Sequence, residues 1–215
     1  MPISQDEFTD AYPTLFHVTL AQDMKQVMQH GLLSTSALLD RCEINGEQRF
    51  NIESCQRPRS VPISHSVHGK FLINDQAPMN AGALSKCLID LSPEQWCRSL
   101  NRRVFFWPTQ GRLAKHIGAR LAAGRPKIVF SFKTRSVLDV LDFDSFEFSA
   151  INSGNTMRKA AGRGSATFLK GSDYPFQERR KSRGLGDAIA EVSYPYAVTP
   201  SQLAAICMTS KIVLG

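Results

Sequence analysis

Late in the chain, Asp187 to Val198 reads DAIAEVSYPYAV, a short run in which Ile189, Glu191 and Ser193 alternate with Ala188, Ala190, Val192 and Tyr194. Successive side chains of a strand point to opposite faces, so one face here is small or apolar and the other presents Glu191. An acid in that company is either an edge-strand charge turned to water or a carboxylate at the floor of a cleft, because Glu is almost never fully buried without a partner. The rest of the chain has to decide between the two.

A chain of 215 residues fits one domain with at most a sizeable insertion. Apolar content of 42% and charged content of 21% are globular averages and argue against global disorder. The net charge of +7 suits a polyanionic partner such as nucleic acid. Five cysteines, odd in number, without a CxxC pair and behind the polar start MPISQDEF, are expected to be reduced, in a cytoplasmic protein. With no apolar run near the ~20 residues of a membrane span, no membrane partner is expected. Cys42, Cys55, His65 and His68 stand in a Cys-Cys-His-His order, but spacings of 13, 10 and 3 positions fit no standard zinc finger, and no metal is assigned.

Taken in order, a short helix is expected over Gln5–Ala11, closed by Pro13. Leu15-Phe16-His17-Val18-Thr19 is rich in strand formers and is followed by a helical spacing of Met24, Val27 and Met28 that Gly31 ends. His17 and Thr19 share one strand face. Residues 35–60 read as helical to about Cys42 and then irregular, Ser64 to Lys70 as a polar loop, and Ser92-Pro93-Glu94 as a helix start. Val104-Phe105-Phe106-Trp107 is the most apolar strand, running through Thr109-Gln110-Gly111 into a helix from Arg112 to Ala123. Alternation sends Phe105 and Trp107 to one face and Phe106 to the other, and core packing suits Phe106 better than the other two. Strands are expected over Lys127–Lys133 and 137–143, and again from Ala205 to Met208 and Ile212 to Leu214, closing the sheet after a capped turn at Thr199–Leu203.

Residues 151–187 break the pattern. They are rich in Gly and Ser and carry Arg158, Lys159, Arg163, Lys170, Arg179, Arg180, Lys181 and Arg183, with Phe168, Tyr174 and Phe176 interleaved. Cations for phosphates and rings for bases make the composition of a surface that binds single-stranded nucleic acid; a solvated loop is the other reading. No GxxxxGK[ST], dinucleotide fingerprint, HExxH or GxSxG occurs.

Three separated blocks resemble, in order, the motifs of the ADP-ribosyltransferase superfamily of the poly(ADP-ribose) polymerase and diphtheria-toxin type. Leu15-Phe16-His17-Val18-Thr19 with its helix and Gly31-Leu32 is similar to the first motif, Val104-Phe105-Phe106-Trp107 with its helix to the second, and Ala190-Glu191-Val192 to the catalytic-glutamate strand. In length and in the first and last blocks the likeness is closest to DarT-type enzymes that modify DNA. The resemblance covers about 50 residues and leaves 40–100 unmatched, as an insertion into a single domain spanning 1–215.

It implies an α+β fold, with split antiparallel β-sheets and flanking helices around an NAD cleft, and an NAD-dependent transfer of ADP-ribose to DNA or RNA by a toxin-like enzyme. An antitoxin or immunity protein would then be an expected partner. Carried over by position, Glu191 is the catalytic acid and Arg112 a candidate near the reacting ribose. His17, Val18, Thr19, Phe105, Phe106 and His116 fall to NAD, with Phe105 where the family often has Tyr and His116 where a second aromatic commonly stacks on nicotinamide. The basic stretch 158–183 holds the position of the target-recognition loop. A protein acceptor, or a non-catalytic nucleic-acid-binding module on a degenerate transferase fold, are the alternatives. The chemistry fits one acid, since a carboxylate hydrogen-bonded to the ribose 2′-hydroxyl binds more tightly as oxocarbenium charge develops.

Overall fold

The computed structural model describes residues 1–77, 79–118, 125–157, 160–206 and 208–213. Its strands are β1 (Thr14–Leu20), β2 (Leu32–Leu33), β3 (Val61–His65), β4 (Gly69–Ile73), β5 (Arg103–Phe106), β6 (Lys127–Lys133), β7 (Glu147–Ser149), β8 (Leu169–Lys170), β9 (Glu191–Pro195), β10 (Ala197–Val198) and β11 (Met208–Val213). Its helices are α1 (Gln5–Ala11), α2 (Met24–His30), α3 (Thr35–Arg41), α4 (Gly46–Glu53), α5 (Ala81–Cys87), α6 (Pro93–Asn101), α7 (Gln110–Ile117), α8 (Thr134–Leu138), α9 (Phe176–Arg183), α10 (Leu185–Ala188) and α11 (Pro200–Ala205). The fold is mixed α+β with several antiparallel sheets.

Two sheets organise the molecule, one in the order β1-β6-β11 and one in the order β5-β9-β7-β8. Among the described residues their backbones pair at one place, Phe16 and Trp107, which exchange both hydrogen bonds (3.0 and 2.8 Å). Alternation then sorts the side chains. Ile128, Phe130 and Phe132 of β6, Val104 and Phe106 of β5 and Val192 of β9 enter the main core, where Phe8, Phe146 and Phe148 are fully enclosed. The opposite parity, Phe16, Trp107 and Val129, packs with Leu113 of α7 in a separate cluster.

The 40–100 segment is ordered. α3, α4 and the β3–β4 hairpin enclose Leu39, Cys42, Ile52, Ile63, Phe71 and Ile73, and α5 and α6 enclose Leu84, Trp96 and Leu100 with Phe168. The polar Ser64–Lys70 stretch expected as a loop is therefore the tip and flanks of that hairpin, and α4 occupies what was expected to be irregular chain. The strand expected over 137–143 is also replaced: Thr134, Val137, Leu138 and Leu141, spaced at helical intervals, are all buried around α8. The expected irregular stretch 151–187 contains β8, α9 and α10, and its aromatics Phe168, Tyr174 and Phe176 are buried packing groups. They are thereby unavailable for stacking on bases. The far end of the helix expected to Ala123 lies outside the described residues, as do Cys207 and Leu214 of the expected closing segments.

The helix-ending glycine has a steric reason. Gly31 holds φ of 81°, and a Cβ there would stand 2.0 Å from the Val198 carbonyl oxygen, where β10 pairs with β2. Gly31→Ala should therefore destabilise the fold by at least about 2 kcal/mol, read as a lowered midpoint in urea unfolding with unchanged slope.

Candidate functional site

Beyond the Phe16–Trp107 pair the two sheets part, and a cavity of about 460 Å3 opens between them and the inserted segment. The next hydrogen-bonded rung of an antiparallel ladder would join Val18 to Phe105. It is not made: the Phe105 carbonyl accepts instead from His17 Nδ1 at 2.8 Å. A carbonyl can only accept, so Nδ1 carries the proton, and burial holds the ring below its ordinary pKa, in the neutral form. His17 thus caps the split between strands, beside Phe106, and does not itself line the cavity. Val18 and Thr19 do line it.

Glu191 begins β9, between Ser149 of β7 and the chain leaving β5, and its side chain reaches the cavity although the residue is only 7% exposed. Both carboxyl oxygens lie 3.2 Å from the Ser153 backbone N–H. Burial raises its pKa to about 7, against the lowering pull of hydrogen bonding from the Ser153 side chain and N–H and of the Arg112 and Arg163 charges. A carboxyl so poised exchanges its proton near neutrality and has unfilled acceptor positions facing the cavity.

The segment holding Ser153 is fixed from beneath by Arg163. That side chain is 2% exposed and donates to the carbonyls of Ser153 (2.7 Å), Asn155 (3.0 Å) and Ala161 (3.2 Å), with its guanidinium 5.8 Å from the Trp96 ring centre. Expected as a phosphate contact, Arg163 is a buried clamp whose donors are spent on backbone oxygens. Thr156 ties the same segment to the insertion by accepting from Asn80 N–H at 2.8 Å.

The other expected site residues separate. Phe105 lines the cavity and packs on Phe168, whereas Phe106 is 2% exposed against Phe132 and Phe146 in the main core, closed off from any ligand. His116 lines the cavity with its ring 3.9 Å from that of Trp107, and burial together with the Lys127 charge drives its pKa down to about 4. Arg112 does not line the cavity; it pairs with Asp187 at 2.7 Å, joining α7 to α10. Tyr12 and Tyr174 donate to the carbonyls of Leu185 and Ala188, so α10 is held on both sides just before Glu191.

Cations outnumber acids on the wall. Lys115, Arg125, the buried Lys127 and Arg57 line it, against Asp75 and Glu191, while Arg103 is paired with Glu147 at 2.8 Å. Arg57, Lys127 and the Asn152–Asn155 turn were not anticipated. The Asn-Ser-Gly-Asn composition signals a turn, but nothing local says that its N–H meets an acid 38 positions on.

Outside the cavity, Lys170, Arg180, Lys181 and Arg183 are exposed and Arg179 half-buried. Arg183 also donates to the Ala150 carbonyl at 2.9 Å, next to the segment that carries Ser153. Arg158 and Lys159 lie outside the described residues.

The raised Glu191 pKa fixes a sign. Between about 4.5 and 7 the folded protein keeps a proton that the unfolded chain has lost, so this group's contribution to stability falls as pH rises through that window and is level above it. The stability of Glu191→Gln relative to the parent should grow by about 3 kcal/mol over the same window, measured by urea unfolding at a series of pH values. Arg163→Gln, which orphans buried carbonyls, should lower stability by about 2–4 kcal/mol in the same assay.

No curated protein and no solved structure matches the chain. Residues 13–204 match a family described as "Family of unknown function (DUF7002)", and with most of its length inside that match the chain belongs to the DUF7002 family.

Proposed function

We propose that the chain is an NAD-dependent ADP-ribosyltransferase whose acceptor is nucleic acid. The observation that carries this reading is the meeting, in one cavity, of all three blocks on which the resemblance rests: Val18 and Thr19, Phe105 with Trp107 and His116, and Glu191. Two antiparallel sheets joined at one residue pair and splitting around that cavity are consistent with the transferase arrangement.

The mechanism follows from the groups present. The unpaired rung at Val18 leaves a backbone N–H beside the cavity for a carboxamide, and the neutral rings of Trp107 and His116 offer flat apolar surface to a pyridinium ring. That cation, close to Glu191, favours the ionised carboxylate and draws its pKa below 7. The carboxylate accepts from the ribose 2′-hydroxyl and is strengthened as the bond between nicotinamide and ribose breaks and positive charge builds on the sugar. It then serves as the base for the incoming acceptor group. Arg112 acts at one remove, holding α10 through Asp187, so it is a positioning residue and not a catalytic one. The exposed cations of α9 lie next to the Ser153 segment, where a polyanionic acceptor would be held.

Purified protein incubated with NAD labelled in the adenosine portion, and separately with single-stranded DNA, RNA or a protein lysate, should transfer label to a nucleic acid. Glu191→Gln should lower transfer by 10²-fold or more, to about background, while keeping NAD affinity within a few-fold. The rate at saturating NAD should rise with pH and level off near neutrality as Glu191 ionises. Arg180→Glu with Lys181→Glu should weaken oligonucleotide binding and lessen its salt dependence by ~0.7 in log–log slope for each phosphate no longer neutralised. Absence of nicotinamide release with every acceptor, with salt-sensitive oligonucleotide binding retained, would replace this reading by that of a binding module.

A further inference from the structure

Arg57 is the one arginine of the cavity wall that combines near-complete burial (6% exposed) with the lack of an acid partner among the described residues; the other buried cation there, Lys127, donates to the Ile117 carbonyl at 3.1 Å. The Arg57 guanidinium is held rigidly by neutral oxygens: Nε donates to the Asn74 carbonyl at 3.1 Å, and Nη1 to the Ile52 carbonyl and to Asn101 Oδ1 at 3.0 Å. Asn101 is itself oriented by donating to the Glu53 carbonyl at 2.7 Å, and Gln76 Oε1 accepts from the Arg57 backbone N–H. No hydrogen bond satisfies Nη2 among the described residues. The nearest acid acting on the group, Asp75, spends its carboxylate on Ser60 and the Ala77 N–H. Burial lowers the Arg57 pKa to about 10, which leaves it charged at neutral pH.

A buried guanidinium with one edge fixed by oxygens and the other facing a cavity is arranged for a planar, two-point contact with an anion. Lys115, Arg125 and Lys127 line the same space. Glu191 is held by the Ser153 segment and Arg57 by Ile52, Asn74 and Asn101, so the acid and this cation are fixed by different parts of the cavity wall.

We propose that Arg57 of the inserted segment, oriented by Gln76 and by Asn101 at the end of α6, is a phosphate-binding subsite that takes the phosphate groups of a nucleotide ligand. The assignment deepens the transferase reading and, as a statement about NAD, rests on it. It also explains what the insertion contributes, because the ends of α4, β4 and α6 converge to present one charged fork.

The test uses the full chain and inorganic pyrophosphate as probe, with ADP and adenosine beside it, in isothermal titration of the parent, Arg57→Lys and Arg57→Gln. Pyrophosphate and ADP should bind the parent and adenosine should bind far more weakly. Arg57→Gln should weaken pyrophosphate roughly tenfold or more, and Arg57→Lys should fall between, keeping the charge but not the fork. Circular dichroism and thermal melting report whether each variant is folded. Should neither fold, a crystal structure of the parent with ADP decides: a phosphate oxygen within hydrogen-bond distance of Arg57 Nη2 supports the subsite, and phosphates seated elsewhere overturn it.

Equal pyrophosphate affinity in folded parent and Arg57→Gln overturns the assignment, as does a KM for NAD unchanged in Arg57→Lys. Arg57-dependent pyrophosphate binding in a protein that never releases nicotinamide leaves the subsite standing and removes the transferase reading. Displacement of bound pyrophosphate by ADP-ribose identifies the nucleotide as the source of the phosphate; displacement by a 5′-phosphorylated oligonucleotide alone identifies the acceptor.

Discussion

The architecture depends on a ladder that stops after one rung. Phe16 and Trp107 exchange two backbone hydrogen bonds and join the sheets, and the His17 imidazole then takes the Phe105 carbonyl that the next rung would have used. Without the rung the sheets would have no common edge, and without the interruption they would run on as one surface with no space between them. His17 satisfies the oxygen that the split leaves behind, so parting the strands does not strand a buried acceptor.

Around that split, opposite tendencies are balanced. The apolar parity of β5, β6, β7 and β9 builds a core of Phe106, Phe130, Phe132, Phe148 and Val192, and the other parity delivers Phe105, Trp107 and Glu191 to the cavity. Burial works against the Glu191 charge, and the surroundings answer with hydrogen bonding from Ser153 and two nearby cations that shift the balance without closing an ion pair. A full salt bridge would have locked the acid in its ionised form and filled the positions that a ligand's hydroxyl needs. The two cations that act on it, Arg112 and Arg163, are occupied elsewhere, by Asp187 and by backbone carbonyls.

Much of this was legible in order along the chain and much was not, for distinct physical reasons. Strand alternation is a local property, so β6 is read to the residue and Glu191 is correctly set on the face opposite Val192. The same rule misreads 137–143 because Val137, Leu138 and Leu141 are apolar at helical as well as near-alternating positions, and the packing of α8 on the core decides. α9, with the sequence FQERRKSR, buries only Phe176, so no apolar stripe announces it. For arginine, residue type does not separate a surface contact from a clamp: Arg163 and Arg180 look alike in sequence, and only the carbonyls gathered around the first distinguish them. Arg57 and Lys127 enter the cavity through tertiary placement that no local pattern encodes.

The half-titrated acid has a calorimetric consequence. Near neutral pH the empty protein is a mixture of molecules with and without a proton on Glu191. Any ligand that brings positive charge to that carboxylate pushes the proton out, and any ligand that brings negative charge draws one in, because occupancy of the cavity and occupancy of the acid by hydrogen ion are linked quantities. The heat of association then includes the ionisation heat of whatever buffer exchanges that proton. The sign of the buffer dependence would reveal the charge of the group seated beside Glu191 without any need to see it.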